Sequence, residues 1–433
     1  MKVNQIAVIS AMYGPLTITN RMVFSVLSQF ISEKNPYKIE LILVDDYIEK
    51  RGKDNKSPYD IYVSDSFKKF YDTDKITIKL IKNDEHKYQG ESREIGYMSA
   101  ESDWFVMIDC DDMLAPNSLD RYVFALNDFY NHEMEKPTNE RKQLAFVYGM
   151  TYGFDTYGYT QFIEGHSIWI QGRCYNRRFI KEHDIHFGKG LASRQGEDYP
   201  FMRMLDYALN HNSQYLLLDL RREDEPMMPT CYWFPNENSL SRKDPHYSQH
   251  LAGWTMNSSN MILDYFEYVN DRFDVVNEED EIMKHEVLQM NVYAFYNLLD
   301  FLHEVSVTDY EPLKEDWTVL RDNVARLRSR LKERYWDEIV YSDIEDTLYQ
   351  THHGSDCHFI ESWIGNFYDY INNDVIVTVQ QGEKTKKKDV GKKFNMFDMS
   401  YDEMILYSKS LKFDEARHEV HMPQVVAWEE RHK

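Results

Sequence analysis

Short apolar runs alternate with segments of helical periodicity over the first 180 residues, and this alternation restricts the fold more than any other feature of the chain. The runs predict strands at 6–9, 40–44, 76–81, 104–108, 144–148 and 167–172. The spacing of apolar residues predicts helices at 19–32, 92–100 and 117–130. Strands that alternate with helices are typical of α/β folds, in which a mostly parallel sheet carries helices on both faces.

Carboxylates crowd the point where the fourth predicted strand ends. The buried-type run Trp104–Ile108 is followed by Asp109, Asp111 and Asp112. Like charges this close repel one another, and their burial is costly unless a cation lies among them. A divalent cation with oxygen ligands satisfies such a cluster, and it commonly also holds the phosphates of a substrate. The alternative is a solvated turn in which an aspartate caps the next helix.

Two other predicted strands also end in polar or aromatic side chains. Tyr13 follows the first strand, and Asp45 and Asp46 follow the second. The carboxyl ends of parallel strands meet at one edge of a sheet, and ligands bind in the crevice outside that edge. We therefore expect these residues and the acidic cluster to converge on one site.

Composition and charge narrow the class of protein. The formal net charge is −23, which argues against a protein that coats nucleic acid or anionic lipid with its whole surface. Four cysteines lie far apart in the sequence, a pattern that favours reduced thiols in a cytoplasmic protein. No apolar run is long enough for a transmembrane helix, and the first residues do not form a signal peptide.

The pattern of apolar residues changes after about Tyr247, where helical periodicity dominates. We predict two domains, an α/β domain at 1–245 and a mainly α-helical domain at 246–433. The second domain is expected to bind the acceptor or to mediate self-association into a homo-oligomer.

The order of the motifs resembles the family 2 glycosyltransferases, which have the Rossmann-like GT-A fold. The resemblance rests on a VDD sequence at 44–46, an arginine-containing helix motif at 90–96, the acids at 109–112 and a Glu-Asp pair at 197–198. The segment at 167–179 also resembles the acceptor-side strand and turn of the family, and 238–241 resembles the short motif at the end of its domain. It extends over about residues 6–242. The chain departs from the family pattern at Cys110 and Glu94, and it lacks the QxxRW motif of processive synthases, which favours transfer of a single sugar.

The resemblance implies a role for each matching residue. Asp45 or Asp46 would hydrogen-bond the nucleotide base, expected to be uracil, with Tyr13 in the same nucleotide site. Arg93 would lie near the phosphates or the base. Asp109 would lie near the ribose or the metal. The resemblance further implies that Asp111 binds Mn²⁺ or Mg²⁺, with His246 as a further candidate ligand and Asp112 either supporting the metal site or capping the next helix.

The second half of the reaction needs a base, because an acceptor hydroxyl is a poor nucleophile until a carboxylate removes its proton. Asp198 is the candidate, since it follows a polar loop and precedes apolar residues at helical spacing. An acid that merely complements the dipole of a helix N-terminus is the alternative explanation. Attack from the face opposite the leaving group inverts the anomeric carbon, as family 2 members do.

These features predict a metal-dependent, inverting glycosyltransferase that moves one sugar from a UDP-sugar to an acceptor hydroxyl. A cell-envelope saccharide is the expected acceptor. The alternatives are a bacteriophage-type enzyme that glycosylates hydroxymethylated DNA bases, a non-catalytic binding module on the same fold, and a nucleotidyltransferase.

Overall fold

The chain divides into two compact units, Met1–Glu237 and Asn238–Lys433. The structure is a computed structural model, and in the first unit it describes residues 2–52, 54–154, 160–163, 170–188, 197–220 and 228–234. In the second unit it describes residues 265, 268, 284–285, 287–289, 291–292, 305, 314–340, 342–344, 347, 371, 376–379, 392–395 and 400–410.

A seven-stranded sheet forms the centre of the first unit, and a four-stranded sheet lies beside the acidic motif. The strands of the first unit are β1 Gln5–Met12, β2 Lys38–Asp45, β3 Ile76–Lys82, β4 Trp104–Met107, β5 Met113–Leu114, β6 Gln143–Tyr148, β7 Thr151–Phe154, β8 Thr160–Ile163, β9 Arg173–Asn176, β10 Tyr215–Asp219 and β11 Cys231–Trp233. The large sheet has the order β10-β6-β9-β4-β1-β2-β3, and the small one has the order β5-β11-β7-β8. In the large sheet β9 is antiparallel to both of its neighbours, and all the other pairings are parallel. The predicted α/β class with a mostly parallel sheet is confirmed.

Helices cover both faces of the large sheet. Those of the first unit are α1 Leu16–Leu27, α2 Tyr88–Ser99, α3 Ser118–Glu135, α4 Arg177–Glu182 and α5 Asp198–Asn210. Apolar residues of α1 and α3 share one core with Ile6, Val8 and Val106. On the opposite face Tyr97 of α2 stacks on Phe105, with ring centroids 5.3 Å apart. Because β1, β2 and β4 are covered on both faces, they are continuous apolar runs rather than alternating ones.

The strand predicted at 167–172 is wrong over 170–172, and residues 167–169 lie outside the described part of the chain. Residues 170–172 precede the strand, with 171–172 in a turn, and the extended segment is β9 at Arg173–Asn176. Gly172 has φ +71°, a left-handed conformation that glycine adopts without steric cost and that ends an extended run. The Gly149 N–H donates to the Gly172 carbonyl at 2.7 Å, which anchors this turn to the residue that follows β6.

The second unit is described mainly through its helices. They include α6 Lys314–Arg334 and α7 Tyr401–Ser410, and the strands β12 Ile376–Val379 and β13 Lys392–Asn395 form an antiparallel pair. One face of α6 buries Trp317, Leu320, Val324, Leu327 and Leu331. Among the residues that the structure describes in either unit, no helix is both long and apolar enough to cross a membrane.

Helix α2 approaches β1 through Gly96, and this contact generates a test of the packing. A Cβ atom added at Gly96 would lie 2.3 Å from Cγ2 of Ile9 and 3.4 Å from Cγ2 of Val44. We predict that Gly96→Ala lowers the free energy of unfolding by roughly 1–3 kcal/mol through overpacking, despite the better helix propensity of alanine. Urea denaturation measures the change.

Met98→Ala is the control for this prediction, because Met98 is an exposed residue of the same helix. Its effect should stay within about 0.5 kcal/mol of zero. A Gly96→Ala protein as stable as the wild type would show that α2 does not lie this close to β1.

Candidate functional site

The acidic motif forms a compact cluster of oxygen atoms between β4 and β5. One carboxylate oxygen from each of Asp109, Asp111 and Asp112 lies within 4.8 Å of the others. Strand β5 begins directly after Asp112 and pairs with β11, where Leu114 is opposite Cys231. The segment that carries the acids is therefore held at both ends by sheet hydrogen bonds.

Asp112 is the most buried member of the cluster, with 1% of its surface exposed. Its Oδ1 accepts a hydrogen bond from the Phe234 N–H at 2.9 Å, whereas its buried Oδ2 has no hydrogen-bond partner within the described part of the chain. Burial and then the charges of Asp109 and Asp111 raise the pKa of Asp112 well above its ordinary value. An unsatisfied buried oxygen among three carboxylates fits a hard divalent cation such as Mn²⁺ or Mg²⁺.

Asp112 does not cap the following helix, which was one of its two predicted roles. Helix α3 begins at Ser118 with Asn117 in the N-cap position. Residues 113–117, which include β5, separate Asp112 from the helix, so its carboxylate is directed to the Phe234 amide instead.

Arg93 connects the acidic cluster to the Glu-Asp pair at the start of α5. Its side chain is 3% exposed, and it forms ion pairs with Asp109, Glu197 and Asp198. The distance to Asp198 Oδ1 is 3.0 Å. Burial lowers the pKa of Arg93, but the three carboxylates outweigh it, so that the pKa is raised and the guanidinium stays charged. One buried cation therefore holds together acids that lie 88 to 89 positions apart in the sequence.

Asp198 is the first residue of α5, and 32% of its side chain is exposed. Burial and then the charge of Glu197 raise its pKa well above the ordinary value, while Arg93 opposes this change. Glu197 is nearly buried, with 2% of its side chain exposed. The sequence singled out Glu197 only as part of a pair and gave it no role of its own.

Asp45 is the last residue of β2 and Asp46 follows it, at the strand end predicted from the sequence, but the protein's own donors occupy their carboxylates. Both residues are buried. Asp45 accepts from the Tyr47 N–H at 2.9 Å and from Nε of Arg51 at 3.1 Å. This pairing fixes the segment that leaves β2.

Asp46 organises the loop between β3 and α2. It accepts hydrogen bonds from Nδ2 of Asn83 and from the Lys87 N–H, both at 2.8 Å, and it lies 2.5 Å from Nδ1 of His86. The next residue after this loop, Tyr88, has φ +59°, which is strained for a bulky side chain. The buried carboxylate therefore sets the position of His86, which remains exposed at the surface.

Tyr13 lies within a group of aromatic rings at the carboxyl ends of β1 and β2. Its ring centroid is 4.8 Å from that of Tyr47 and 5.5 Å from that of His86. The His86 ring lies 4.3 Å from Tyr88, and the Tyr13 hydroxyl donates to Glu49 at 2.6 Å. Aromatic surfaces of this kind can stack on a planar ligand such as a nucleobase.

The structure thus brings Arg93, Asp109, Asp111, Asp112 and Asp198 into one site. Tyr13, Asp45 and Asp46 lie at the ends of β1 and β2 at the same edge of the sheet. His246 lies outside the described residues. Sequence reasoning also missed Gln171, whose Nε2 donates to Oδ2 of Asp109. The sequence gave Gln171 no role of its own within the segment 167–179, because the contact joins residues that are 62 positions apart.

No family model matches the sequence, and no curated protein sequence is similar to it. Solved structures do resemble it. The structure of S. aureus TarS 1–349 in complex with UDP-GlcNAc aligns with a TM-score of 0.51 at 14% identity, over 91% of this chain and 99% of that one. The same TarS fragment in complex with UDP has a TM-score of 0.46 at 13% identity, over 92% and 100% of the two chains. A mannosyltransferase from Pyrobaculum calidifontis, in complex with GDP-Man and Mn²⁺, has a TM-score of 0.39 at 9% identity, over 82% and 89%. The first of these likenesses, together with the mostly parallel sheet, identifies the fold as GT-A.

Proposed function

We propose that the chain is a metal-dependent, inverting glycosyltransferase that transfers one sugar from a UDP-sugar to an acceptor hydroxyl. The observation that carries this proposal is the cluster in which Arg93 joins Asp109 of the acidic motif to Asp198 at the start of α5. It combines a cation-binding group and a carboxylate base at the edge of the sheet where α/β folds bind ligands. The fold that the chain shares with TarS, solved with UDP-GlcNAc, supports a UDP-sugar as donor.

In this proposal Asp109, Asp111 and Asp112 hold a divalent cation, Mn²⁺ or Mg²⁺. Such a cation supplies positive charge that stabilises a departing nucleoside diphosphate. The orphaned Oδ2 of Asp112 and the mutual repulsion of the three carboxylates support this assignment. His246 remains a predicted further ligand.

Asp198 acts as the general base in this proposal and accepts the proton of the acceptor hydroxyl. A raised pKa suits that task, because a base is most effective when its pKa lies near the working pH. Arg93 and Glu197 fix the carboxylate at the helix start, and its partial exposure leaves room for a substrate to reach it. Attack from the side opposite the diphosphate inverts the anomeric centre.

The nucleobase is assigned to the aromatic group around Tyr13. Asp46 has its oxygens directed to Asn83, the Lys87 amide and His86. Asp46 therefore contacts the nucleobase only indirectly, by orienting the exposed ring of His86. The Tyr13 ring offers the nucleobase a surface to stack on. Asp45 supports the same region through Arg51.

The acceptor proposed from the family resemblance is a saccharide of the cell envelope. The second unit, Asn238–Lys433, is proposed to bind that acceptor or to mediate self-association. Hydroxymethylated DNA is the competing acceptor. Binding to DNA would weaken steeply as salt rises, since phosphate contacts release counterions, whereas capture of a neutral saccharide would not.

The donor and metal can be tested without knowing the acceptor. We predict that a panel of nucleotide sugars raises the thermal transition of the wild-type protein most for UDP-sugars, and only when Mn²⁺ is present. Slow hydrolysis of the same donor should follow, measured as UDP release. Asp111→Asn should abolish both effects, because it removes a charged ligand from the cluster.

Asp74→Asn is the matched control, since Asp74 is an exposed aspartate outside the site. It should behave as the wild type. If protein stripped of metal with EDTA released UDP as fast as the wild-type protein with Mn²⁺, the metal-dependent mechanism would be contradicted.

The role of Asp198 as general base can be tested separately. We predict that Asp198→Asn reduces turnover by roughly 10²–10⁴-fold, the range typical for loss of general-base assistance, and leaves UDP affinity unchanged. Turnover is measured with the acceptor once it is known, and UDP affinity by calorimetry. Asp206→Asn, a half-buried acid of the same helix, should retain most activity, and wild-type turnover in Asp198→Asn would exclude Asp198 from the mechanism.

The raised pKa of Asp198 predicts a shift in the pH profile. Activity should fall as the pH drops through the pKa of Asp198, because the protonated acid cannot accept a proton. The charge of Glu197 raises that pKa, so Glu197→Gln should lower it and move the acidic limb of kcat to lower pH. Glu101→Gln, an exposed control, should leave the limb in place, and a limb that stays fixed or rises in Glu197→Gln would contradict the prediction.

A further inference from the structure

We propose that Gln171 is a positioning residue for the metal-binding acids, holding the Asp109 carboxylate in the orientation in which the cluster binds a divalent cation. This inference rests on the metal site of the proposed function. It concerns a residue that lies within the segment 167–179 but was given no role from the sequence.

The side-chain amide of Gln171 is held between two partners of opposite hydrogen-bonding character. Gln171 is 9% exposed, its Nε2 donates to Oδ2 of Asp109, and its Oε1 accepts from Sγ of Cys231 at 3.6 Å. An ionised carboxylate only accepts hydrogen bonds, whereas a thiol can donate one. The two contacts are therefore satisfied together in only one orientation of the amide, with its N–H groups toward the acids.

The backbone next to Gln171 and the strand that carries its thiol partner Cys231 are both fixed in position. Gly172 adopts φ +71°, and a Cβ atom at this position would lie 2.6 Å from Oγ1 of Thr151, so only glycine fits the turn. Cys231 is fully buried and lies opposite Leu114 in the pairing of β11 with β5. The thiol therefore belongs to the same small sheet that anchors the acidic motif.

Asp109 receives one donor on each of its oxygens. Arg93 binds Oδ1, and Gln171 binds Oδ2. Two donors fix the plane of a carboxylate and leave a lone pair on each oxygen available for a cation. Without Gln171, Arg93 would be the one remaining side-chain donor to Asp109 within the described part of the chain. The carboxylate could then rotate toward the guanidinium and away from Asp111 and Asp112. Loss of such supporting hydrogen bonds typically weakens metal binding by about 10–100-fold.

The test compares Mn²⁺ affinity in variants of the full chain, measured from the free Mn²⁺ signal in electron paramagnetic resonance during titration. Gln171→Met keeps the length and bulk of the side chain but removes the amide. We expect its Mn²⁺ dissociation constant to rise about 10–100-fold relative to the wild type. A folded Gln171→Met protein that binds Mn²⁺ as tightly as the wild type would overturn the inference.

Gln29→Met is the matched control. Gln29 is 7% exposed, and its Nε2 donates to the carbonyls of Ser25 and Ala115, away from the acids. Its replacement should lower the thermal transition but leave Mn²⁺ affinity unchanged. A purely structural role for Gln171 would give the same pattern as this control.

Cys231→Ala removes the thiol that donates to Oε1 of Gln171. This variant keeps the inference testable if Gln171→Met does not fold. It should weaken Mn²⁺ binding by a smaller factor than Gln171→Met, because the amide keeps its donor but loses the group that orients it. Unchanged affinity in Cys231→Ala would overturn the proposed orientation of the amide. A wild-type protein that binds no Mn²⁺ would overturn the proposed metal site and the role of Gln171 together, whereas equal binding by wild type and Gln171→Met would overturn only the latter.

Discussion

The buried guanidinium of Arg93 is the interaction on which the rest of the site depends. It brings together three carboxylates from two distant segments, and at least one of them, Glu197, is almost inaccessible to water. Removing the cation would leave these acids to repel one another at low dielectric, a change that typically costs more than the loss of an exposed ion pair. Arg93 therefore both assembles the site and links the acids at the end of β4 to the start of α5.

The sheets supply the rigidity that this assembly needs. Strands β1, β2 and β4 are buried on both faces, and the short pairing of β5 with β11 holds the segment immediately after the acids. Asp112 shows the consequence most clearly, because its carboxylate stays buried although one of its oxygens has no hydrogen-bond partner among the residues that the structure describes. The burial of this carboxylate costs free energy by itself. It is maintained because the surrounding strands leave the acidic motif little freedom to rearrange.

Local patterns in the sequence sufficed for the fold class, for five of the seven strands of the large sheet and for helices α1, α2 and α3. Apolar runs and helical spacing are local properties, and the acids at 109–112 stand directly after such a run. The strand predicted at 167–172 failed over 170–172 because the left-handed backbone of Gly172 turns the chain before β9. Sequence spacing carries no information about that torsion angle.

The contacts within the site could be predicted less well, since they join distant parts of the chain. The acids expected to bind the nucleobase, Asp45 and Asp46, do lie at the end of β2, but their carboxylates are directed to Arg51 and to the loop that carries His86. Glu197 and Gln171 reach Arg93 and Asp109 across 104 and 62 positions. Only the folded chain shows which side of a buried carboxylate is already occupied.

Strand β9 is reversed within an otherwise parallel sheet, and this has a consequence for how the site is built. A parallel strand presents the residues that follow it to the crevice, whereas a reversed strand presents the residues that come before it. The turn at Gln171–Gly172 thus reaches the acids from the opposite chain direction. The geometry of the acids therefore depends on the residues that enter β9 as well as on those that leave β4.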